Sequence, residues 1–215
     1  MTFIPNMSEY RKPEHEIDPI FIRRWSPRAM SGEPVDRSEL MRLFEAARWA
    51  PSSMNNQPWR FLYALRGMPH WETFFDLLSE WNRAWCVNAG ALIVTVSKTT
   101  FDKSGKPART HSYDTGAAWG YLALQGSLQG LVVHGMQGFN YDKAGEKLGI
   151  GEGFQVEAMA AVGRPGRKED LPPHVREREF PSGRKRLEEI VFEGIPGLMA
   201  PADGLANNER MRSAE

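Results

Sequence analysis

A single domain of mixed helices and strands is what this sequence predicts, and two patterns carry the prediction. Leu40, Leu43, Phe44 and Ala47 recur at i, i+3, i+4 and i+7, the buried stripe of an amphipathic helix. Leu92-Ile93-Val94-Thr95-Val96 is instead short, apolar and β-branched, as expected of a buried strand. A chain of 215 residues is long enough for one sizeable core and short for two. Hydrophobic residues at 41% and charged residues at 25% are ordinary for a globular protein.

The totals also exclude some classes. Lys plus Arg and Asp plus Glu each number 27, so the net charge is zero and no global field favours nucleic acid or an anionic membrane. The same balance makes self-association easier. No apolar run approaches the roughly 20 residues of a spanning helix. Met1 to Lys12 lacks the apolar centre of a signal peptide, and cytoplasm is the expected compartment. One cysteine, Cys86, excludes an intrachain disulfide and a cysteine-based metal site.

In chain order, residues 1–12 are polar and aperiodic and read as an arm. Pro13, Glu14, Glu16 and Asp18 ahead of Ile17, Ile20, Phe21 and Ile22 predict a first helix, with proline and acids at its positive end. Arg24, Ser26 and Arg28 alternate, so in an extended segment they form a comb pointing one way. Guanidinium forks suit a phosphate, although a basic surface turn accounts for the same residues. Asp36 with Glu39 predicts a capped start for the amphipathic helix.

That helix ends in Ala50-Pro51-Ser52-Ser53-Met54-Asn55-Asn56-Gln57-Pro58-Trp59, a loop dense in uncharged donors and acceptors. Such groups suit a neutral heteroaromatic ring with mixed edges, and a capped helix end followed by a turn is the plainer alternative. Arg60 to Arg66 follows as a strand. Trp71, Phe74, Phe75, Leu77, Leu78 and Trp81 predict one strongly apolar helix, for core or subunit contact.

Ala89 to Val96 is the buried strand, and 98–109 a polar loop with room for motion. Ser112 to Gly130 reads as the longest helix, with Gly116, Gly120 and Ala123 on one face beside Tyr121, Leu124 and Leu128. Each glycine costs a helix up to ~1 kcal/mol against alanine, so the pair argues for close approach of another backbone. Leu131 to Met136 is a short strand closing on Gln137-Gly138, where a glycine lets a backbone approach a ligand. Lys143 to Leu148 predicts a short helix and Phe154 to Val162 a strand ending at Gly163-Arg164-Pro165-Gly166. Residues 167–183 read as a charged, proline-rich surface connector. Arg184-Lys185-Arg186 precedes a short strand through Phe192 and is by itself a solvated charge run. Residues 13–196 are the expected domain and 197–215 a polar, frayed tail. His111 and His134 stand alone, with no neighbouring acid or cysteine at metal-ligand spacing.

Pro51-Ser52-Ser53-x-Asn55-x-Gln57-Pro58-Trp59 resembles the signature loop of the FMN-dependent nitroreductase family, and Arg24-x-Ser26-x-Arg28 resembles its phosphate motif. Gln137-Gly138 falls where family members carry a glycine turn beside the flavin, often with an acid where this chain has Gln137. Gly163-Arg164-Pro165 matches the turn that follows, and Arg184 and Arg186 stand where a basic pair precedes the family's last strand. The resemblance covers residues 17–192, with the motifs in the family's order.

It implies an α+β fold, a three-layer α-β-α sandwich around a mostly antiparallel sheet, as an intertwined homodimer of a kind whose last strand often crosses to the partner. FMN would sit at the subunit interface. Arg24, Trp25, Ser26, Arg28, Arg184 and Arg186 would surround its phosphate, Pro51, Ser52, Ser53, Met54, Asn55 and Gln57 would approach the ring from the other subunit, and Asn82, Gln137 and Gly138 would complete the ring site. Trp85, close to Asn82, reads better as core. The implied activity is ping-pong transfer from NAD(P)H to a nitroaromatic, a quinone or a related small acceptor. The cofactor would carry the chemistry, so no catalytic side chain is named. A dehalogenating or flavin-degrading offshoot, or a non-catalytic flavin carrier, are the alternatives. No Gly-x-Gly-x-x-Gly supports a separate dinucleotide fold.

Overall fold

The computed structural model describes residues 5–194. The chain divides into two compact units, Met1–Ser182 and Gly183–Glu215.

The first unit is built on four antiparallel strands, β1 (Trp59–Leu65), β2 (Ala91–Lys98), β3 (Val132–Met136) and β4 (Phe154–Gly163), in the order β1-β2-β4-β3. Register is set by pairs such as Leu62↔Val94, Val94↔Met159 and Val133↔Val162, with a bulge in β2 between Thr95 and Val96. Helices cover both faces. Ala91, Ile93, Ala160 and Val162 pack on one face against α3 (Arg37–Arg48) and α6 (His111–Leu128). Leu92, Val94, Val96, Met159 and Ala161 pack on the other against α4 (Trp71–Phe75), α5 (Glu80–Cys86) and α7 (Tyr141–Lys147). Burial on both faces explains why β2 reads as a continuous apolar run, with Ala91 through Ser97 all buried. The three-layer α+β sandwich expected from the resemblance is present.

Several local expectations are corrected. The first helix is shorter than expected: α2 (Pro19–Arg23) starts at Pro19, because the Asp18 carboxylate accepts the Ile20 amide at 2.8 Å and fixes the start there. The arm before it is tethered. It contains a one-turn helix, α1 (Met7–Tyr10), and the Arg11 guanidinium donates to the carbonyls of Ile22, Arg24 and Ser182.

The apolar stretch 71–81 is two helices. Between them Ser79 donates its amide to the Gly138 carbonyl at 3.0 Å, Asn140 donates to the Leu77 carbonyl at 2.9 Å, and Leu78 bridges Phe139. This tertiary pairing unwinds the chain at 76–79, and Ser79 then caps α5. Residues 167–183 form more than a surface connector: around α8 (Pro173–Arg176), Leu171, Val175 and Glu179 are buried. Gly116, Gly120 and Ala123 follow at i, i+4 and i+7 along α6; Ala123 is buried in its own chain, whereas a Cβ at Gly116 or Gly120 would meet nothing within 4 Å.

In the second unit, Leu187–Glu189 forms a single 3₁₀ turn and the expected strand is absent among the described residues. Glu189 accepts the Arg186 amide at 2.8 Å, a bond that closes a turn. The expected tail at 197–215 lies outside the described residues.

Candidate functional site

The loop between α3 and β1 departs from ordinary backbone geometry. Met54, Asn55 and Gln57 have φ of 53°, 52° and 48°, left-handed values in three non-glycine residues out of four. Each such residue costs of order 1–3 kcal/mol and persists only when its surroundings hold it. The holding contacts are clear. Ser52 Oγ accepts the Gln57 amide at 3.0 Å, and Asp114 Oδ2 of α6 accepts the Ser53 amide at 3.0 Å. Asn56 bonds in both directions with the 99–110 loop, donating to the Thr100 carbonyl and accepting the Asp102 amide. Met54, 86% exposed, is left projecting. Met54, Asn55 and Gln57 line one wall of a cavity of about 740 Å³ closed by the 99–110 loop.

The comb runs alongside β3. Arg24 donates to Ser26 Oγ at 3.2 Å, and His134 Nδ1 donates to the Pro27 carbonyl at 3.0 Å. Glu179 reaches in from the connector: its carboxylate accepts the Arg28 and Ala29 amides and lies 3.7 Å from the Arg28 guanidinium. Burial pushes the Glu179 carboxyl above its usual pKa range, with those amides opposing the shift. Arg28 is therefore a structural anchor of the comb as well as a positive charge on it. Arg24 and Trp25 line a cavity of about 230 Å³.

A chain of contacts joins the comb to the end of β3. His134 packs against Trp85 with ring centroids 4.6 Å apart. Trp85 Nε1 donates to Asn82 Oδ1 at 3.2 Å, and Asn82 Nδ2 donates to the Gly138 carbonyl at 2.9 Å. Trp85 is thus core, as read from the sequence, yet it also orients Asn82. Gly138 is required for space, because a Cβ there would lie 2.6 Å from Asn82 Nδ2. Burial lowers the His134 pKa to about 4, so the ring is neutral and keeps its Nδ1 proton for Pro27.

Gln137 lines a third cavity, of about 400 Å³, between α6, β2 and the β3–β4 pair. At its rim, isolated residues of the sequence come together. His111 Nδ1 lies 2.7 Å from Ser97 Oγ, which donates to Glu157 Oε1 at 2.5 Å; Ser112 donates to the same oxygen at 2.7 Å. Sequence reasoning missed this cluster, since its members lie on three different elements. Among the described residues no group of three or more His, Cys, Asp or Glu could hold a metal ion. Cys86 is buried, and burial raises its thiol pKa well above normal, so it stays a protonated core residue.

One chain therefore brings Asn82 to Gly138 and Arg24 to Ser26, beside one strand, while Arg28 is held by Glu179. The register shows that the loop before β1 and the turn after β3 leave the same end of the sheet from its two outer strands. Even so, loop, comb and Gln137 line three separate cavities. Arg184 and Arg186 belong to the second unit, where Arg184 donates to the Gly183 carbonyl and Arg186 pairs with Glu188 at 3.2 Å.

Comparison with known proteins fits this geometry. Residues 22–72 match the model of the Nitroreductase family. A crystal structure described as an oxidoreductase containing FMN is 44% identical, covering 86% of this chain and 95% of its own, with a TM-score of 0.83. An FMN- and NADPH-dependent nitroreductase variant from Sphigopyxis sp. strain HMH shares the fold at 20% identity and a TM-score of 0.64, covering 82% of this chain and 98% of its own. An uncharacterized 15.4 kDa protein of Mycolicibacterium smegmatis is 29% identical over 126 residues, 57% of this chain and 84% of its own. The chain belongs to the nitroreductase family.

Proposed function

We propose that the protein is an FMN-dependent oxidoreductase that takes electrons from NADH or NADPH. It passes them to a quinone, a nitroaromatic or a similar small acceptor in a ping-pong cycle, as a homodimer with FMN at the subunit interface. The observation that carries this reading is the 44% identity, across 86% of the chain, to an oxidoreductase containing FMN.

The residues present fit that cofactor. Arg24 and Ser26 supply a guanidinium and a hydroxyl beside the middle of β3, a donor set suited to a phosphate. Asn82, Gln137 and Gly138 lie just beyond the end of the same strand, and the absent side chain at Gly138 lets the Asn82 amide sit against that backbone. An elongated ligand with a phosphate at one end and a flat ring at the other would lie along β3. When bound, FMN supplies the hydride and electron chemistry. The chain's own groups position it. Trp85 holds Asn82 in one orientation, and Asp114 holds the strained 51–57 loop ready to approach the ring from the second protomer. The separation of loop and comb into different cavities supports that two-chain arrangement.

The test is the visible spectrum of the purified protein before and after anaerobic NADH or NADPH, followed by turnover with menadione. A flavin band near ~450 nm that bleaches, with sustained nucleotide oxidation, is the expected result. A bleaching band without turnover would indicate a flavin carrier. A colourless protein that refuses added FMN would overturn the reading.

A further inference from the structure

The cavity of about 740 Å³ between the strained loop and the 99–110 loop is lined by three cations, Arg60, Lys103 and Lys106, and by one carboxylate, Asp102. The whole chain balances 27 basic against 27 acidic residues, so this is a local excess of positive charge. Asp102 is already paired with Lys98. Arg60 is engaged as well, since its Nη1 donates to the Gln57 and Trp59 carbonyls at 3.0 and 2.7 Å. Lys103 and Lys106 differ. Both are exposed, and neither ammonium forms an ion pair among the described residues.

The two lysines sit on a closed turn. The Phe101 amide donates to the Lys106 carbonyl at 2.9 Å, and the Gly105 amide donates to the Phe101 carbonyl at 2.8 Å. Gly105 has a φ of +67°, the left-handed conformation that lets the chain fold back there. Asn56 ties the base of the turn to the strained loop by accepting the Asp102 amide at 3.0 Å. Ser104 Oγ accepts the Lys106 amide at 3.3 Å and keeps its own proton to donate. Four consecutive residues therefore bring two ammonium groups and a hydroxyl to one cavity.

We infer that this turn binds the 2′-phosphate of NADPH, and that Lys103 and Lys106 make the protein favour NADPH over NADH. This rests on the proposed function, in which the 51–57 loop reaches the partner's flavin ring, and adds the choice of nucleotide to it. A nucleotide that meets the flavin beside this loop has its adenosine end available to the adjoining cavity. The 2′-phosphate is the one group that separates the two donors. As a monoester it presents three terminal oxygens and a charge of about −1.5 to −2 at pH 7. Lysine binds phosphate as a compact point charge, and donors from three side chains match the three oxygens. Met54, Phe101 and Pro107 add apolar surface for the adenine, in a cavity within the roughly 300–1,000 Å³ range of small-molecule sites. The uncharged 2′-hydroxyl of NADH gains nothing from the two ammonium groups.

The test compares NADPH and NADH as donors to menadione at low ionic strength, for wild type, Lys103→Ala/Lys106→Ala and Lys103→Arg/Lys106→Arg. Wild type favours NADPH by about tenfold in kcat/KM, as two exposed charge pairs would give. The alanine variant loses that advantage through KM for NADPH, while its kcat/KM for NADH stays within about twofold of wild type. The arginine variant keeps most of the preference, and added salt erodes it in wild type. A wild type without a preference for NADPH overturns the inference, as does a preference that survives the alanine change. Equal losses with both nucleotides overturn it too, by assigning the lysines to the shared pyrophosphate. Equilibrium dialysis of 2′,5′-ADP and 5′-AMP reads the same site without flavin or turnover. The extra phosphate tightens binding several-fold in wild type and not in the alanine variant; equal affinities in wild type count against the site. A protein that takes up no FMN and oxidises neither nucleotide refutes the proposed function instead, and the dialysis still reads the lysine turn on the same samples.

Discussion

Asp114, buried one turn into α6, accepts the backbone amide of Ser53 at 3.0 Å and the Thr110 hydroxyl at 3.1 Å. This carboxylate is the link between the longest helix and the strained loop. Asp114→Ala leaves the Ser53 amide unpaired and removes a restraint on three left-handed residues. A loss of about 1 kcal/mol in folding stability is expected from the unpaired, half-buried amide. Retained FMN should fall as well, because the loop no longer holds its shape. Denaturant midpoints and the flavin-to-protein absorbance ratio measure the two effects, and full flavin retention would show that Asp114 serves stability alone.

Glu179 plays the matching part for the comb. It is fully buried, and its oxygens take the amides of Arg28 and Ala29 at 2.8–3.0 Å. Glu179→Ala leaves two amides without their acceptor and the Arg28 guanidinium without its counter-charge, although the Arg178 carbonyl still accepts from it, a change expected to cost about 2–4 kcal/mol. Glu179→Gln keeps one acceptor oxygen and should cost less. Since burial already raises the carboxyl pKa, the glutamine stands close to the state that the site tolerates more easily. The order wild type, Gln, Ala in urea unfolding checks this; equal losses for both substitutions would remove the amides from the account.

How much of this was legible in the sequence depended on separation along the chain. The capping of α3 by Asp36 and Glu39 is local, and the Asp36 amide does donate to Glu39 at 3.0 Å. The buried strand at 91–98 was legible because β-branched residues under two helical layers leave a continuous apolar run. The break at 76–79 was not legible, because it is made by pairing with residues 138–140, far along the chain. Asp114 and Glu179 were missed for the same reason: each acts on backbone amides 61 or 150 residues away, and no local pattern marks such a partner. Of the site, the residue types at the loop and comb were readable. The contacts that hold those residues in position, from Asp114, Glu179 and Trp85, were not.

His134 makes stability depend on pH in a predictable direction. The unfolded chain takes up a proton near the ordinary value of 6.5, whereas the buried ring in the fold resists until about pH 4. Neutral His134 therefore contributes fully above pH 6.5, and that contribution is lost as pH falls towards 4. The total is roughly 3 kcal/mol, about 2 of it gone by pH 5. Urea unfolding at pH 7 and pH 5, compared with His134→Gln, isolates the effect, because the variant lacks this proton while other acid-sensitive groups remain. An identical pH dependence in both proteins would show that His134 is accessible to protons in the fold.

Gly116 and Gly120 give a test whose sign depends on the partner. Neither would bring a Cβ within 4 Å of anything in its own chain, and the same stretch of α6 exposes Tyr113, Tyr121 and Leu128, at 81%, 43% and 68%. If α6 faced only water, alanine at each position would stabilise the helix by up to ~1 kcal/mol, since glycine is the poorer helix former. If the helix packs closely on a second copy, the added methyl groups meet the partner backbone and weaken association. The proposed dimer requires the second outcome. Gly116→Ala/Gly120→Ala should dissociate at lower dilution than wild type in sedimentation experiments, and should release FMN as it does so, because in the proposed dimer each cofactor site draws on the partner's loop. A double variant that is more stable, equally associated and fully flavinated would show that the glycine face of α6 is not where two chains meet.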